Sequence, residues 1–320
     1  MSGNLQNNHA HGLHMTSKQL AVVLGAQSQG DDVEVHGVST DTRQLVPGQL
    51  FVAIRGPNFD GHDFVHQAVE KGAAACLVEQ PVDGVNCVVV DNTHLALGKL
   101  AARWRQQLQI TLIGVTGSNG KTTVKEMLAA ILSQRGEVLA TRGNLNNDIG
   151  MPLTLLELDE RHVYAVIEMG ANHPGEIEYL TRIAQPDVAL ITNAGMAHLE
   201  GFGSVEGVAR AKGEIYQGLG AGGVAVVNNE DTYADYWKQL NTQRRVISFG
   251  TVPGSDVSAD IRIEQDGQKL AVSTPQGEVT ISLKLLGKHN ALNALAATAA
   301  AVAVDTPLDA IKQGLSLIHI

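Results

Sequence analysis

The sequence is poor in cysteine, in aromatic residues and in positive charge. Its two cysteines, Cys76 and Cys87, are too few for a disulfide framework, which favours a reducing, cytoplasmic setting. Aromatic residues form 4% of the chain and offer few stacking platforms. With 23 Lys and Arg against 33 Asp and Glu, the net charge of −10 argues against binding nucleic acid or anionic membranes through bulk electrostatics. Any phosphate-bearing ligand is therefore expected to be held by local donors.

Long apolar runs are also missing, because no stretch reaches the ~18–20 residues that span a bilayer. Glycine is abundant, at 34 of 320 residues, and 44% of the chain is hydrophobic. This combination predicts about two globular domains with many tight turns. Residues 1–14 lack the basic-then-apolar order of a secretion signal, so we expect a tag or a disordered extension outside the fold.

Short β-branched runs and amphipathic stretches predict a small N-terminal α/β domain over residues 15–108. The predicted strands lie at 33–38, 49–54, 73–78 and 87–90, and the predicted helices at 62–71 and 94–107.

Residues 109–305 predict a central domain in which strands alternate with helices, the pattern of a mostly parallel, doubly wound sheet. Its predicted strands are 110–117, 163–169, 187–192, 223–227 and 245–249, with a helix at 121–134 after the first. An antiparallel appendage follows at 259–265, 268–274 and 278–286, then an Ala-rich helix at 289–304. Residues 306–320 are interpreted as a truncated linker.

The strongest motif is a glycine-rich turn that ends in Gly-Lys-Thr-Thr, between a predicted strand and a predicted helix. Backbone N–H groups and the helix N-terminus would bind phosphate, Lys121 would reach the β and γ phosphates of ATP, and Thr122 would ligate Mg²⁺. The strict P-loop spacing is not met, since Val115 stands where its first glycine belongs, and a plain glycine-rich turn is the alternative. The predicted cofactor-binding residues here are Thr116, Gly117, Ser118, Asn119, Gly120, Lys121, Thr122 and Thr123.

Two further residues are predicted at the same edge of the sheet. Glu168 ends an apolar strand, where a carboxylate beside a P-loop would hold Mg²⁺. His198 follows the next strand and a short turn. A solvated strand end is the alternative for Glu168, and a structural histidine is the alternative for His198.

Several segments, in order, resemble the Mur ligase family of peptidoglycan precursor synthesis. They are TGSNGKTTVKEM, TRGNLNNDIGMPLTLL (141–156), IEMGANHPGEI (167–177), NAGMAHLEGFGS (193–204), ARAKGEI (209–215) and LLGKHNALNALAA (285–297). Within the family, STDTR (39–43), the stretch 51–64, NNDIG and EMGAN are most similar to the branch that joins D-Ala-D-Ala to UDP-N-acetylmuramoyl-tripeptide.

The resemblance implies an ATP-dependent ligase that phosphorylates the tripeptide carboxylate to an acyl phosphate, which the dipeptide amine then attacks. Lys121 would hold the ATP phosphates, and Thr122 and Glu168 would hold one Mg²⁺. His198 would contribute to a second Mg²⁺. Lys212 matches the lysine that family members carbamylate, which turns a cation into an oxygen donor. Without the resemblance, a solvated helix lysine would be the expectation for Lys212.

The remaining site residues also come from the resemblance. Asn290 and Asn293 match the helix near adenine, with an Ala-rich core helix as a compatible alternative. The matches to the uridine-diphosphate region are Ser39, Asp41 and Arg43, and an ordinary surface residue is the alternative for Arg43. Asn146 and Asn147 match residues near the sugar-peptide substrate.

Members of the family carry a third, Rossmann-like domain. That domain is missing from these 320 residues, which is a departure from the family pattern. This stretch alone is therefore expected to bind its substrates and to ligate poorly. We expect a monomer, with no nucleic-acid partner and no integral membrane contact. A ligase that adds one amino acid, a non-catalytic nucleotide-binding module and a generic P-loop kinase remain alternatives, whereas a folylpolyglutamate synthase relative should lack STDTR.

Overall fold

The computed structural model describes residues 12–196 and 199–318, which divide into two compact units. The first unit comprises the described part of residues 1–108 together with 152–159. The second comprises residues 109–151 and the described part of 160–320.

The first unit is built on a five-stranded sheet with the order β2-β7-β6-β5-β4, parallel except for β2, and on a two-stranded antiparallel ribbon of β1 and β3. Its strands are β1 (His14–Thr16), β2 (Gln27–Gln29), β3 (Glu34–His36), β4 (Val38–Ser39), β5 (Leu50–Val52), β6 (Ala75–Val78) and β7 (Cys87–Val89). Its helices are α1 (Ser17–Leu24), α2 (Val65–Glu70) and α3 (Thr93–Gln107), with a 3-10 helix at Gly61–Phe64.

Local sequence explains where these helices begin. Thr16 accepts a hydrogen bond from Gln19 N at 3.3 Å, and Gln19 Oε1 accepts one from Thr16 N at 2.8 Å, a capping box for α1. Asn92 Oδ1 accepts a hydrogen bond from Leu95 N at 2.8 Å and caps the start of α3. Each cap satisfies backbone donors that the first helical turn leaves unpaired.

The first unit differs from the sequence prediction at its start. Leu13 is fully buried, and its backbone N donates to Leu156 O at 2.8 Å. His14 begins β1. The fold therefore includes residues 12–14, which we had assigned to an extension, because an apolar side chain and strand pairing hold them. The rest of that proposed extension, residues 1–11, lies outside the described residues.

The second unit is built on a six-stranded parallel sheet with the order β13-β12-β11-β8-β10-β9. Those strands are β8 (Thr111–Thr116), β9 (Glu137–Ala140), β10 (His162–Glu168), β11 (Val188–Ile191), β12 (Val224–Asn228) and β13 (Arg245–Phe249). An antiparallel sheet contains β14 (Ser258–Glu264), β15 (Gly267–Thr274) and β16 (Gly277–Leu283). This confirms the predicted α/β class, with its parallel and antiparallel parts.

The helices beside these sheets follow in chain order. They are α4 (Lys121–Leu132), α5 (Gly150–Leu155), α6 (Glu176–Ala184), α7 (Leu199–Phe202), α8 (Val205–Gly213), α9 (Ala234–Gln239), α10 (Lys288–Ala303) and α11 (Leu308–Ser316), with a 3-10 helix at Glu214–Gly218. Residues 152–155 of α5 belong to the first unit. No helix within the described ranges is long and apolar enough to cross a membrane.

The predicted appendage and the predicted linker are both part of the core of the second unit. Leu270 and Ile281 of the antiparallel sheet belong to one buried cluster with Ile131 of α4. Leu315 of α11 joins the same cluster, and a Cβ at Gly314 would collide with the backbone of Ile131. The apolar face of α11 is therefore buried against α4, and the interpretation of residues 306–320 as a linker stays a prediction.

Candidate nucleotide and metal site

The candidate site lies at the carboxyl edge of the parallel sheet, where ligands collect in α/β folds. The chain leaves β8 at Thr116, turns through residues 117–120 and enters α4 at Lys121. Gly120 has φ +79°, and a Cβ there would collide with the carboxamide of Asn293. A Cβ at Gly117, φ +146°, would collide with the Thr192 side chain. Glycine is therefore required at both positions of this turn.

The turn is tied to the loop that follows β11. Ser118 N donates to Asn193 O at 3.0 Å, and Asn119 N donates to Asn193 Oδ1 at 3.1 Å. Thr192 Oγ1 donates to Asn119 O at 2.6 Å. The predicted phosphate turn is thus held by Thr192 and Asn193, which the sequence analysis missed. Their position directly after an apolar strand was the available signal.

Lys121 covers this turn with its side chain. Its Nζ donates to Gly117 O at 2.8 Å and to Ser118 O at 3.4 Å. Burial lowers the pKa of Lys121, and the nearby carboxylate of Glu168 opposes that shift. The ammonium therefore lies beside the turn and within the field of Glu168, as a phosphate-binding lysine requires.

Glu168 ends β10 and is almost completely buried, at 2% exposed. Its Oε2 accepts a hydrogen bond from Thr122 Oγ1 at 3.0 Å, and its Oε1 accepts one from Asn146 Nδ2 at 2.9 Å. Its backbone N donates to Thr141 Oγ1 at 2.9 Å. The structure thus brings together three predicted site residues, Thr122, Asn146 and Glu168, and adds Thr141.

The donor set at this point fits Mg²⁺. A hydroxyl and a carboxylate are the hard oxygen ligands that Mg²⁺ prefers, and Mg²⁺ in nucleotide sites takes its other ligands from phosphate and water. No cluster of three or more His, Cys, Asp or Glu suited to a metal occurs in the described ranges. The predicted ligand His198 lies outside the described residues.

Lys212 lies on α8 and is 2% exposed, an unusual position for a lysine. Burial lowers its pKa to about 8, and the positive charge of Lys121 adds to the shift. Its Nζ lies 5.6 Å from the centre of the Phe202 ring. The solvated-lysine alternative is wrong for Lys212.

The two predicted adenine residues lie in the first two turns of α10, and Asn293 faces the phosphate turn at Gly120. Asn293 Nδ2 lies 3.5 Å from Asn290 Oδ1, and Asn290 Nδ2 donates to Leu286 O at 2.9 Å. Asn147 does not join Asn146 at Glu168. Its Oδ1 accepts from Gly150 N at 2.8 Å and supports the start of α5.

In the first unit, the three predicted uridine-diphosphate residues form one turn. Ser39 Oγ donates to Asp41 O at 3.0 Å. Arg43 Nη2 donates to Asp41 Oδ2 at 2.7 Å, and the Arg43 side chain is 85% exposed. The Arg43 hydrogen bonds lower the pKa of Asp41 to about 2. The turn therefore presents a guanidinium whose orientation Asp41 fixes.

Comparisons with known proteins find related sequences over most of the chain. Residues 115–301 match the Mur ligase middle domain, and residues 34–105 match a domain described as the Mur ligase family, catalytic domain. The chain is 48% identical over 307 residues to the UDP-N-acetylmuramoyl-tripeptide--D-alanyl-D-alanine ligase of Escherichia coli K12. The matched region covers 95% of this chain and 68% of that protein.

Two solved structures are also similar. MurF from Acinetobacter baumannii superposes with a TM-score of 0.92 at 42% identity, over 97% of this chain and 69% of that one. MurF from Thermotoga maritima in complex with ADP superposes with a TM-score of 0.80 at 31% identity. That match covers 89% of this chain and 66% of that one. The chain thus spans about two thirds of the length of these relatives. On these matches, and as the sequence motifs predict, the chain belongs to the Mur ligase family.

Proposed function

We propose that this chain binds ATP, Mg²⁺ and UDP-N-acetylmuramoyl-tripeptide within an ATP-dependent ligase that joins D-Ala-D-Ala to the tripeptide. The relatives named above support the substrates, and the ADP complex of the Thermotoga maritima relative supports use of ATP. The observation that carries the proposal is the cluster of Thr122, Asn146 and Glu168 beside the P-loop ammonium of Lys121.

The reaction has two steps. A tripeptide carboxylate oxygen attacks the γ phosphorus of ATP, the bond from that phosphorus to the bridging oxygen breaks, and ADP leaves an acyl phosphate. The amine of D-Ala-D-Ala then attacks the acyl carbon, the carbon–oxygen bond to phosphate breaks, and the amine loses a proton. The first step brings two anions together, so Lys121 contributes by offsetting phosphate charge.

Thr122 and Glu168 are proposed to hold one Mg²⁺, and His198 and a carbamylated Lys212 are proposed to hold a second. Bound Mg²⁺ neutralises charge on phosphate oxygens. The protein fixes the orientation of the Glu168 carboxylate before the ion binds, because Oε1 accepts a hydrogen bond from the Asn146 amide and Oε2 faces Thr122.

Carbamylation of Lys212 is proposed from its burial and its low pKa. A pKa of about 8 leaves a larger neutral fraction of the amine at neutral pH than an exposed lysine has. The neutral nitrogen attacks the carbon of CO₂, a proton is lost, and an anionic carbamate replaces the cation. A nearby cation favours that anion, and the charge of Lys121 already acts on Lys212.

Each unit is proposed to bind a different part of the substrates. In the first unit, Ser39, Asp41 and Arg43 bind the uridine diphosphate, where the exposed Arg43 guanidinium suits phosphate. In the second unit, Asn146 and Asn147 lie near the tripeptide. Asn290 and Asn293 lie near adenine, where carboxamides both donate and accept. A monomeric state and a cytoplasmic location stay predictions.

The test is calorimetric titration of UDP-N-acetylmuramoyl-tripeptide into the chain, with Mg²⁺ and a non-hydrolysable ATP analogue bound. We expect saturable binding, weakened about tenfold by Arg43→Gln, since a charge-assisted hydrogen bond is worth roughly that factor. The matched control is Arg262→Gln, which neutralises an exposed arginine on β14 and should change nothing. Analogue binding without substrate binding would contradict the proposal and favour a nucleotide-binding module.

A further inference from the structure

The backbone of Glu168 is held as firmly as its carboxylate. Thr141, 1% exposed, follows β9 directly and donates its N–H to Val166 O of β10 at 3.1 Å. Its Oγ1 then accepts the N–H of Glu168 at 2.9 Å. Thr141 therefore continues the pairing of β9 with β10 past its last strand residue and fixes the point at which Glu168 leaves the sheet.

Thr141 is in turn held by a buried lysine. Lys125 Nζ donates to Thr141 O at 2.6 Å, and the Lys125 side chain is 2% exposed. The same ammonium lies 2.8 Å from Oε1 of Glu126, whose side chain is 52% exposed. Burying an ammonium is costly unless its hydrogen bonds are met, and the contacts with Thr141 and Glu126 meet them here.

Lys125 lies one helical turn after Lys121 on α4. Lys121 contacts the carbonyl of Gly117 in the phosphate turn, and Lys125 contacts the carbonyl of Thr141 beside Glu168. One helix therefore contacts both the turn that would receive phosphate and the residue that accepts the backbone N–H of Glu168.

We propose that Lys125 is a positioning residue for the Glu168 carboxylate and acts through Thr141. By fixing the Thr141 carbonyl, it fixes the hydroxyl that receives the Glu168 N–H, and so keeps Oε2 directed at Thr122. This inference rests on the Mg²⁺ site of the proposed function. Groups that orient a metal ligand without touching the metal commonly change metal affinity by about 10–100-fold when removed.

The experiment measures Mg²⁺ affinity directly. Mg²⁺ is titrated into the 320-residue chain saturated with ADP, and ADP is titrated separately without metal. Lys125→Met keeps the length and loses the charge, and Thr141→Val keeps the shape and loses the hydroxyl. Each should weaken Mg²⁺ binding about tenfold and leave metal-free ADP affinity within about twofold of wild type. Thr141→Ser should restore wild-type Mg²⁺ binding.

Glu126→Gln is the matched control, because it removes the exposed partner of Lys125 and spares the Thr141 contact. Wild-type Mg²⁺ affinity in both Lys125→Met and Thr141→Val would overturn the inference while the proposed function stands. Equal losses with and without metal would also overturn it, since they indicate a general structural role. If Lys125→Met shows no cooperative melting, Thr141→Val decides the question. A wild-type chain that binds ADP without response to Mg²⁺ would refute the metal site itself.

Discussion

The Thr122 hydroxyl donates a 3.0 Å hydrogen bond to Oε2 of Glu168, although the two residues are 46 positions apart in the sequence. Thr122 lies in the first turn of α4, and Glu168 ends β10. The parallel pairing of β8 with β10 places those two chain positions at one edge of the sheet. A hydroxyl and a carboxylate at this distance are the ligand pair that a nucleotide-bound Mg²⁺ uses.

The first prediction concerns the phosphate turn. Gly120→Ala should lower the free energy of unfolding by more than the roughly 1–2 kcal/mol of left-handed strain, because its Cβ also collides with Asn293. Nucleotide affinity should fall with it. Urea unfolding and ADP titration measure the two effects.

Gly143→Ala separates strain from collision. Gly143 has φ +53°, but a Cβ there meets no atom within 4 Å. It should therefore show the strain cost alone, with ADP affinity unchanged. If Gly120→Ala and Gly143→Ala lose stability and ADP affinity equally, the predicted collision of the Cβ added at Gly120 with Asn293 is contradicted.

The second prediction concerns the Asp41–Arg43 pair. The pKa of Asp41 is lowered to about 2 from an ordinary 3.8, so the folded state gains stability above pH 4 and loses it as the pH falls from 4 to 2. The gain is small, since exposed ion pairs contribute about 0–1 kcal/mol. In Arg43→Gln, carboxyl-carbon NMR should show the pKa of Asp41 moving back towards 3.8. An unchanged pKa would show that Arg43 is not the cause.

The third prediction concerns Lys212. Incubation with ¹³C-bicarbonate should give one carbamate carbon signal in wild-type protein, absent from Lys212→Met. Lys269→Met is the control, because it removes a half-exposed lysine on β15. A carbamate signal that persists in Lys212→Met would place the modification elsewhere.

Most of the parallel sheet was predictable because its strands are short apolar runs between helical patterns. The position of Glu168 beside Thr122 was predictable for a related reason, since parallel strands end at one edge of the sheet. Its role as a metal ligand stays a prediction. Lys125 was not identified, because a lysine is normally assigned to the solvated face of a helix. It lies three residues before buried Leu128, on the apolar face of α4, and that spacing was the available signal.

Contacts that depend on tertiary packing were beyond sequence reasoning. The segment 152–159 belongs to the first unit although it follows the phosphate turn, because residues such as Leu156 bond to Leu13. Asn146 and Asn147 are adjacent in sequence but have different roles, one at Glu168 and one at the start of α5. No local pattern distinguishes such neighbours.

The most direct test of the account is calorimetric titration of ADP with and without Mg²⁺ into wild type, Glu168→Gln and the control Glu137→Gln. Glu137 begins β9, at the opposite edge of the sheet from Glu168. We predict that Mg²⁺ tightens ADP binding about tenfold or more in wild type and in Glu137→Gln, and has no effect in Glu168→Gln. The same gain from Mg²⁺ in all three proteins would contradict the assignment of Glu168 as the metal-binding carboxylate.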